Sequence, residues 1–262
     1  MKIRLVLLLT SLAVALLGSP AFPAQESVPA PPLPPAAPVL VPPAPGPVPP
    51  PPPVSAEMLD RHTLRVSPVE RTAPGQYRIG DILVNAAEKS VTFPAEISME
   101  KGLLEYLLVR TGGKTYESLL RTGIEPYNLQ VACLLVGLVG TDRPLGFQGD
   151  PAVPRGDPVE IILRPGTSNG RIKPEQWLMQ TINGENRETP PLHWVFTGSL
   201  VRNGRLASQV EGSLVAIFHD PIAMIDNATP GGESDTIWFV KEGAVPPVGT
   251  PVSVTIKPVK GP

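Results

Sequence analysis

The sequence predicts an α+β domain, a mainly antiparallel β-sheet or curled barrel with two short helices packed on it. Three observations lead there. In "PVSVTIKP" apolar and polar residues alternate, with Val252, Val254 and Ile256 on one face and Ser253, Thr255 and Lys257 on the other. Asn203-Gly204 stands between two strand-like runs and is the strongest short-range hairpin signal in the chain. Two other segments replace period two with a helical period. There is no fixed-period repeat, which argues against a propeller or solenoid.

Taken in order, the chain opens with Lys2 and Arg4, an apolar run from Leu5 to Leu17, and the small-residue segment Gly18-Ser19-Pro20-Ala21. That is the order and length of a secretory signal peptide, residues 1–21, cut after Ala21. The run falls short of the ~20 apolar residues of a spanning helix, so cleavage is favoured over a permanent anchor. The expected location is therefore periplasmic or extracellular, the alternative being a tether formed by the uncut signal. Residues 22–56 follow as a linker dominated by proline. Such a density fixes φ and removes backbone donors, so the segment predicts an extended, disordered spacer rather than a core, its residues 29–54 alone reaching about 80 Å.

The globular part is residues 57–262, a length suited to a single domain. "LLEYLLVRT" and "KTYESLLRT" flank Gly112-Gly113 and predict a hairpin, because glycine admits the positive φ of a tight turn. "EPYNLQVACLLVGL" predicts a helix: Pro126 suits the first turn, Leu129, Ala132, Cys133 and Val136 recur at three and four, and Gly137 suits the exit. "TDRPLGFQGDPAVPRGDP" is too rich in proline and glycine for anything but loop. In "IKPEQWLMQTINGE", Pro174 and Glu175 open a second helix of two to three turns, Trp177, Leu178 and Ile182 facing inward and Asn183-Gly184 ending it. Val195 to Val201 and Leu206 to Val210 then pair as an antiparallel hairpin. "GSLVAIFHDP" and "DTIWFVKEG" read as strands covered on both faces, and "PVSVTIKP" closes the sheet.

Composition excludes several functions. Without Lys2, Arg4 and Glu26, the chain carries 20 basic and 23 acidic side chains, no footprint for nucleic acid. Beyond the signal, no apolar run is long enough to cross a bilayer. The single cysteine, Cys133, rules out an intramolecular disulfide, and its apolar surroundings predict an inert thiol. The phosphate-binding glycine loop, the Gly-x-Ser-x-Gly elbow, the paired-histidine zinc helix and the Cys-x-x-Cys motif are all missing, so no cofactor or metal is assigned.

Two stretches carry candidate ligand-binding residues. The first is Lys114, Tyr116 and Glu117. On a regular strand Lys114 and Tyr116 share a face that Glu117 does not, whereas a helical turn starting at Lys114 sets it beside Glu117 and Ser118. The second is "FHDPIAMIDN", where His219, Asp220, Asp226 and Asn227 sit at a strand end. Asp-Pro and Asp-Asn are also ordinary turn formers, whose carboxylates bond nearby backbone. No pair among these residues and His193 or Asp235 has zinc-ligand spacing.

The run from "YRIGDILVNAAEKSVTFPAEISMEKG" through "EYLLVRTGGKTYESLL" and the helix after it, with "WVFTGSLV" and "HDPIAMIDN", resembles the YdjY-type domain, a family of exported bacterial proteins. The likeness spans about Gln76 to Pro258. The family pattern reads glycine-lysine, one residue, then histidine, glutamate and serine; Gly113, Lys114, Glu117 and Ser118 match it, and Tyr116 stands at the histidine position. The resemblance implies a secreted domain of this size and assigns no activity. The expected function is a non-catalytic domain on a proline-rich stalk, binding an extracytoplasmic protein, a glycan or a cell-wall component. The alternative is a metal-dependent or acid–base enzyme, which requires residues 112–118 and 219–227 to converge.

Overall fold

The computed structural model describes residues 66–166 and 170–259; the predicted signal peptide and proline-rich linker lie outside them. Strands β1 (Val69–Ala73), β2 (Gln76–Ile79) and β3 (Ile82–Asn85) form an antiparallel meander that runs into β4 (Ser90–Ile97). Next come β5 (Tyr106–Arg110), β6 (Ser118–Thr122) and helix α1 (Pro126–Leu135). Beyond a long loop lie β7 (Asp157–Pro165), β8 (Leu178–Ile182), β9 (Glu185–Glu188) and β10 (Trp194–Phe196). The two-residue strands β11 (Val201–Arg202) and β12 (Arg205–Leu206) lead into the short helix α2 (Ala207–Glu211). The chain ends in β13 (Ser213–Ala216), β14 (Ile225–Asn227), β15 (Trp238–Val240) and β16 (Pro251–Pro258).

Eight of these strands close a barrel in the order β4-β16-β7-β10-β14-β13-β5-β6, with β6 returning to β4 through Glu96↔Arg121 and Ile97↔Leu120. Closure leaves no open edge on those eight, and an eight-stranded barrel is just wide enough for side chains to fill. The filling follows the pleat. Val252, Val254 and Ile256 from β16, Val91, Phe93 and Ile97 from β4, and Ile161 and Leu163 from β7 are all buried together. Each such side chain contributes about 1.5–3 kcal/mol by leaving water. Strands β15, β8 and β9 make a separate small sheet, joined to the barrel by the bridge Leu103↔Phe239.

Helix α1 forms where the helical period and its punctuation predict. Leu129, Ala132, Cys133 and Val136 are buried, and Gly137 leaves the helix at φ 91°. Burial also pushes the Cys133 thiol far up, which keeps it protonated and inert.

Other expectations need correction. Among the described residues the molecule is mainly β with two α-helices, and its sheet is mixed, because β5–β6 and β13–β14 run parallel. The Gly112-Gly113 hairpin is therefore absent. β5 pairs with β13 on its other side, and residues 111–117 carry the chain back along β5 so that β6 starts beside Tyr106. A parallel crossover normally needs a dozen or more residues, but β5 is only five residues long and a short return suffices. The second predicted helix is a 3-10 turn at Pro174–Trp177 followed by β8, and Asn183-Gly184 turns the β8–β9 hairpin with φ of 55° and 79°. A strand wins there because β15 pairs with β8 along Leu178–Gln180. Asn203-Gly204 does make its turn, but the hairpin is only β11 and β12, and residues 207–211 are α2 rather than strand. Finally, β16 does not close the sheet; it lies inside it, between β4 and β7.

Candidate functional site

The two polar stretches singled out in the sequence meet across the start of β5. Residues Thr115–Glu117 form a 3-10 turn, which sets Lys114 at 3.1 Å from Glu117 and 3.5 Å from Glu105. Its ammonium also stands 5.2 Å above the Tyr106 ring. The Tyr106 hydroxyl donates to Asp220 at 2.9 Å, and this bond joins the Lys114 cluster to the 219–227 turn. Gln148 closes the arrangement by donating to Glu105 at 3.0 Å and to the Tyr106 oxygen at 3.3 Å. Tyr116 is not part of it, being 73% exposed.

Charge states follow from this packing. Partial burial and then the charge of Glu117 raise the Glu105 carboxyl above its ordinary value, against the pull of Lys114. Partial burial pulls the Lys114 ammonium down, but its bond and charge with Glu117 and then Glu105 leave it raised. Burial and the adjacent Asp220 push the Tyr106 phenol well above its ordinary value, so it stays a hydrogen-bond donor.

In the 219–227 turn every candidate group is occupied by a neighbour. His219 is buried, its Nδ1 2.8 Å from the Asp150 carbonyl and its Nε2 2.9 Å from that of Asn227. Asp220 accepts from the Ile222 N–H, while Asp226 accepts from the N–H groups of Asp220 and Asn227. Asn227 donates to the Ile217 carbonyl and accepts from the Thr229 N–H. Burial raises the Asp226 carboxyl well above its ordinary value, and those two N–H donors only partly oppose it. Ser118 donates to the Lys114 carbonyl. Ser118, His219 and Asp220 thus each bond a different partner. Among the described residues, no group of three or more His, Cys, Asp or Glu side chains is placed to hold a metal ion.

A second region has the opposite character. Helices α1 and α2 and the β11–β12 hairpin enclose an open groove of about 420 Å³, lined mainly by Tyr127, Val201, Leu206 and Val210. Its walls are tied by a buried polar chain. Arg110 pairs with Glu125 at 2.8 Å, Gln209 donates to Glu125 at 2.6 Å, and Gln209 in turn accepts from the Tyr127 N–H at 2.9 Å. That last bond satisfies one of the orphan donors at the start of α1. On the α1 wall, the Gln130 Oε1 is buried with no hydrogen-bond partner among the described residues. On the rim, Arg205 is exposed; Arg202, opposite it on the hairpin, is exposed too but lines a neighbouring pocket with Arg205 and Glu211.

The sequence model of the YdjY domain matches residues 82–257, the greater part of the chain. The chain belongs to the YdjY family. No curated protein matches it, and no solved structure does. Both regions just described fall inside the matched span of this YdjY domain. Its Gly113-Lys114 and Glu117-Ser118 pairs have distinct structural tasks. A Cβ at Gly113 would stand 3.2 Å from the Glu211 carbonyl, so glycine there lets the 111–117 return pack against the end of α2. Lys114 and Glu117 pair, and Ser118 ties off the 3-10 turn. Tyr116 points away from all of these, so the departure from histidine breaks no bond of the cluster. The YdjY domain's groove was not foreseen from sequence, nor were Glu105, Tyr106 and Gln148. The only trace of the groove was the Asn203-Gly204 turn, whose Gly204 and following Arg205 border it.

Proposed function

We propose that this YdjY domain is an exported, non-catalytic binding module carried on a proline-rich stalk, and that it takes its ligand in the groove between α1, α2 and the β11–β12 hairpin. One observation carries the reading. The groove combines an apolar lining with a few polar side chains, Gln130, Gln209 and the exposed Arg205, whereas the groups of the 219–227 turn are bonded to one another and to backbone. A concave apolar surface with few polar groups is the usual form of a ligand site, and its volume falls in the range of roughly 300–1,000 Å³ seen for such sites. The N-terminal signal pattern and the proline-rich segment, uncharged over residues 29–54, support export and a spacer role.

The test uses a neutral, environment-sensitive fluorescent dye such as Nile red on the full-length chain. Saturable dye binding is expected, weakened about ten-fold or more by Val210→Glu with the melting temperature unchanged, since Val210 is exposed on the groove wall. Dye binding that is absent, or indifferent to Val210→Glu, overturns the reading. The alternative, acid–base or metal-assisted chemistry at residues 105–118 and 219–227, draws on the raised Glu105 carboxyl beside Tyr106. Thermal unfolding with EDTA and then with zinc, calcium or manganese tests its metal form, and an unmoved midpoint ends it.

A further inference from the structure

His219 is buried with a backbone carbonyl oxygen against each ring nitrogen, that of Asp150 at 2.8 Å and that of Asn227 at 2.9 Å. A carbonyl oxygen only accepts, and a neutral imidazole carries a single N–H. The geometry is therefore satisfied in full only by the imidazolium, with a hydrogen on each nitrogen. In the neutral ring one nitrogen lone pair faces a carbonyl oxygen across a hydrogen-bond distance. Turning the ring over presents carbon atoms to both carbonyls and repairs nothing.

The Asp150 carbonyl belongs to a strap. Leu145 is buried at its start, and the Gly149 N–H donates to the His219 carbonyl at 2.8 Å. Gly149 packs so closely on Phe218 that a Cβ there would stand 2.7 Å from the ring. Held in this way, the strap delivers Gln148 to Glu105 at 3.0 Å and to the Tyr106 oxygen at 3.3 Å. Several titratable groups surround the latch. Asp150 comes from the strap, Asp220 and Asp226 from the turn of His219 itself, and Glu233 follows Gly232, where a Cβ would strike the ring. From β5 and the residue before it, Tyr106 and Glu105 connect through Asp220 and Gln148. The N–H groups of Ala152 and Gly146 hold the Asp150 carboxyl below its ordinary value, and the charge of His219 adds to their effect.

We infer that His219 is a proton-dependent latch: its doubly protonated ring clasps residues 145–150 over Glu105 and Tyr106, and loss of one proton frees that strap and uncovers them. Histidine changes charge between about pH 5 and 8, so the strap is held at the acid end and released at the alkaline end. The inference does not depend on the groove.

Hydrogen exchange on the full-length chain, corrected for the intrinsic rise of exchange with pH, tests it. Protection of the Gly149 amide should fall about ten-fold or more from pH 5 to pH 8, while Val254 in the barrel stays protected. His219→Gln carries both its N–H donors on one atom, and should leave Gly149 weakly protected at both pH values. Asp226→Asn should keep the wild-type profile, because the other buried carboxyl of the turn is then removed from the titration. A flat wild-type profile, a His219→Gln chain as well protected as wild type, or a pH dependence that vanishes in Asp226→Asn overturns the inference. If His219→Gln fails to fold, nitrogen-15 NMR of the wild-type imidazole decides. Two protonated ring nitrogens at pH 5 are expected, and a single one while Gly149 stays protected overturns the latch.

Discussion

Asp226 shows how a single carboxyl is used as a turn-builder rather than as a reagent. Fully buried, it spends its two oxygens on the N–H groups of Asp220 and Asn227, and burial holds its pKa well above the ordinary 3.8. A raised folded-state value means the native protein holds this proton more tightly than the unfolded chain. Its stabilising contribution is therefore complete below about pH 3.8 and lost as pH rises through the higher folded value. We expect the melting-temperature advantage of wild type over Asp226→Asn to be largest near pH 4 and to shrink toward pH 8. An advantage that grows with pH instead would mean the two N–H donors hold the group ionised. The same crowding appears at Gly232, where any side chain would strike the His219 ring and the Asn227 carbonyl.

At the scale of elements, the link between α1 and α2 is the feature that shapes the groove. Gln209 holds both the Glu125 carboxylate and the Tyr127 N–H, so Gln209→Leu leaves the Tyr127 N–H without its acceptor and Glu125 with Arg110 as its remaining side-chain partner. An unpaired buried donor or acceptor costs about 1–3 kcal/mol, and the variant should lose at least that much in urea unfolding. Dye affinity at the groove should fall with it. Elements whose signals are local were legible in the sequence. Helix α1 is one, since Pro126, Gly137 and the burial of Leu129 and Cys133 all agree. Residues 174–184 were misread because proline-glutamate and asparagine-glycine punctuate a helix and a hairpin alike. What decides between them is β15, some sixty positions further on. The parallel placement of β6 likewise depends on β4 and β13, which no local pattern names. The groove was illegible for the same reason: its walls come from separated stretches around 127–130 and 201–210, each unremarkable alone.

For the whole molecule, stability is concentrated in the long ladders. β16 pairs with β4 over Pro251–Ile256 and with β7 over Val252–Pro258, whereas the β6–β4 seam rests on two residue pairs and β11–β12 on two more. Amide hydrogen exchange should be slowest along β4, β16 and β7 and much faster in the β11–β12 hairpin, with the β6–β4 seam between them. Uniform protection across all eight barrel strands would show instead that the barrel opens only as a whole. The position of β16 has a further consequence for how the protein is made. It is the last barrel strand to be synthesised, yet it belongs between two strands made long before it. Until it arrives, β4 and β7 face each other across a gap with both inner edges bare. The ribosome must therefore release the last barrel strand before the barrel can assemble.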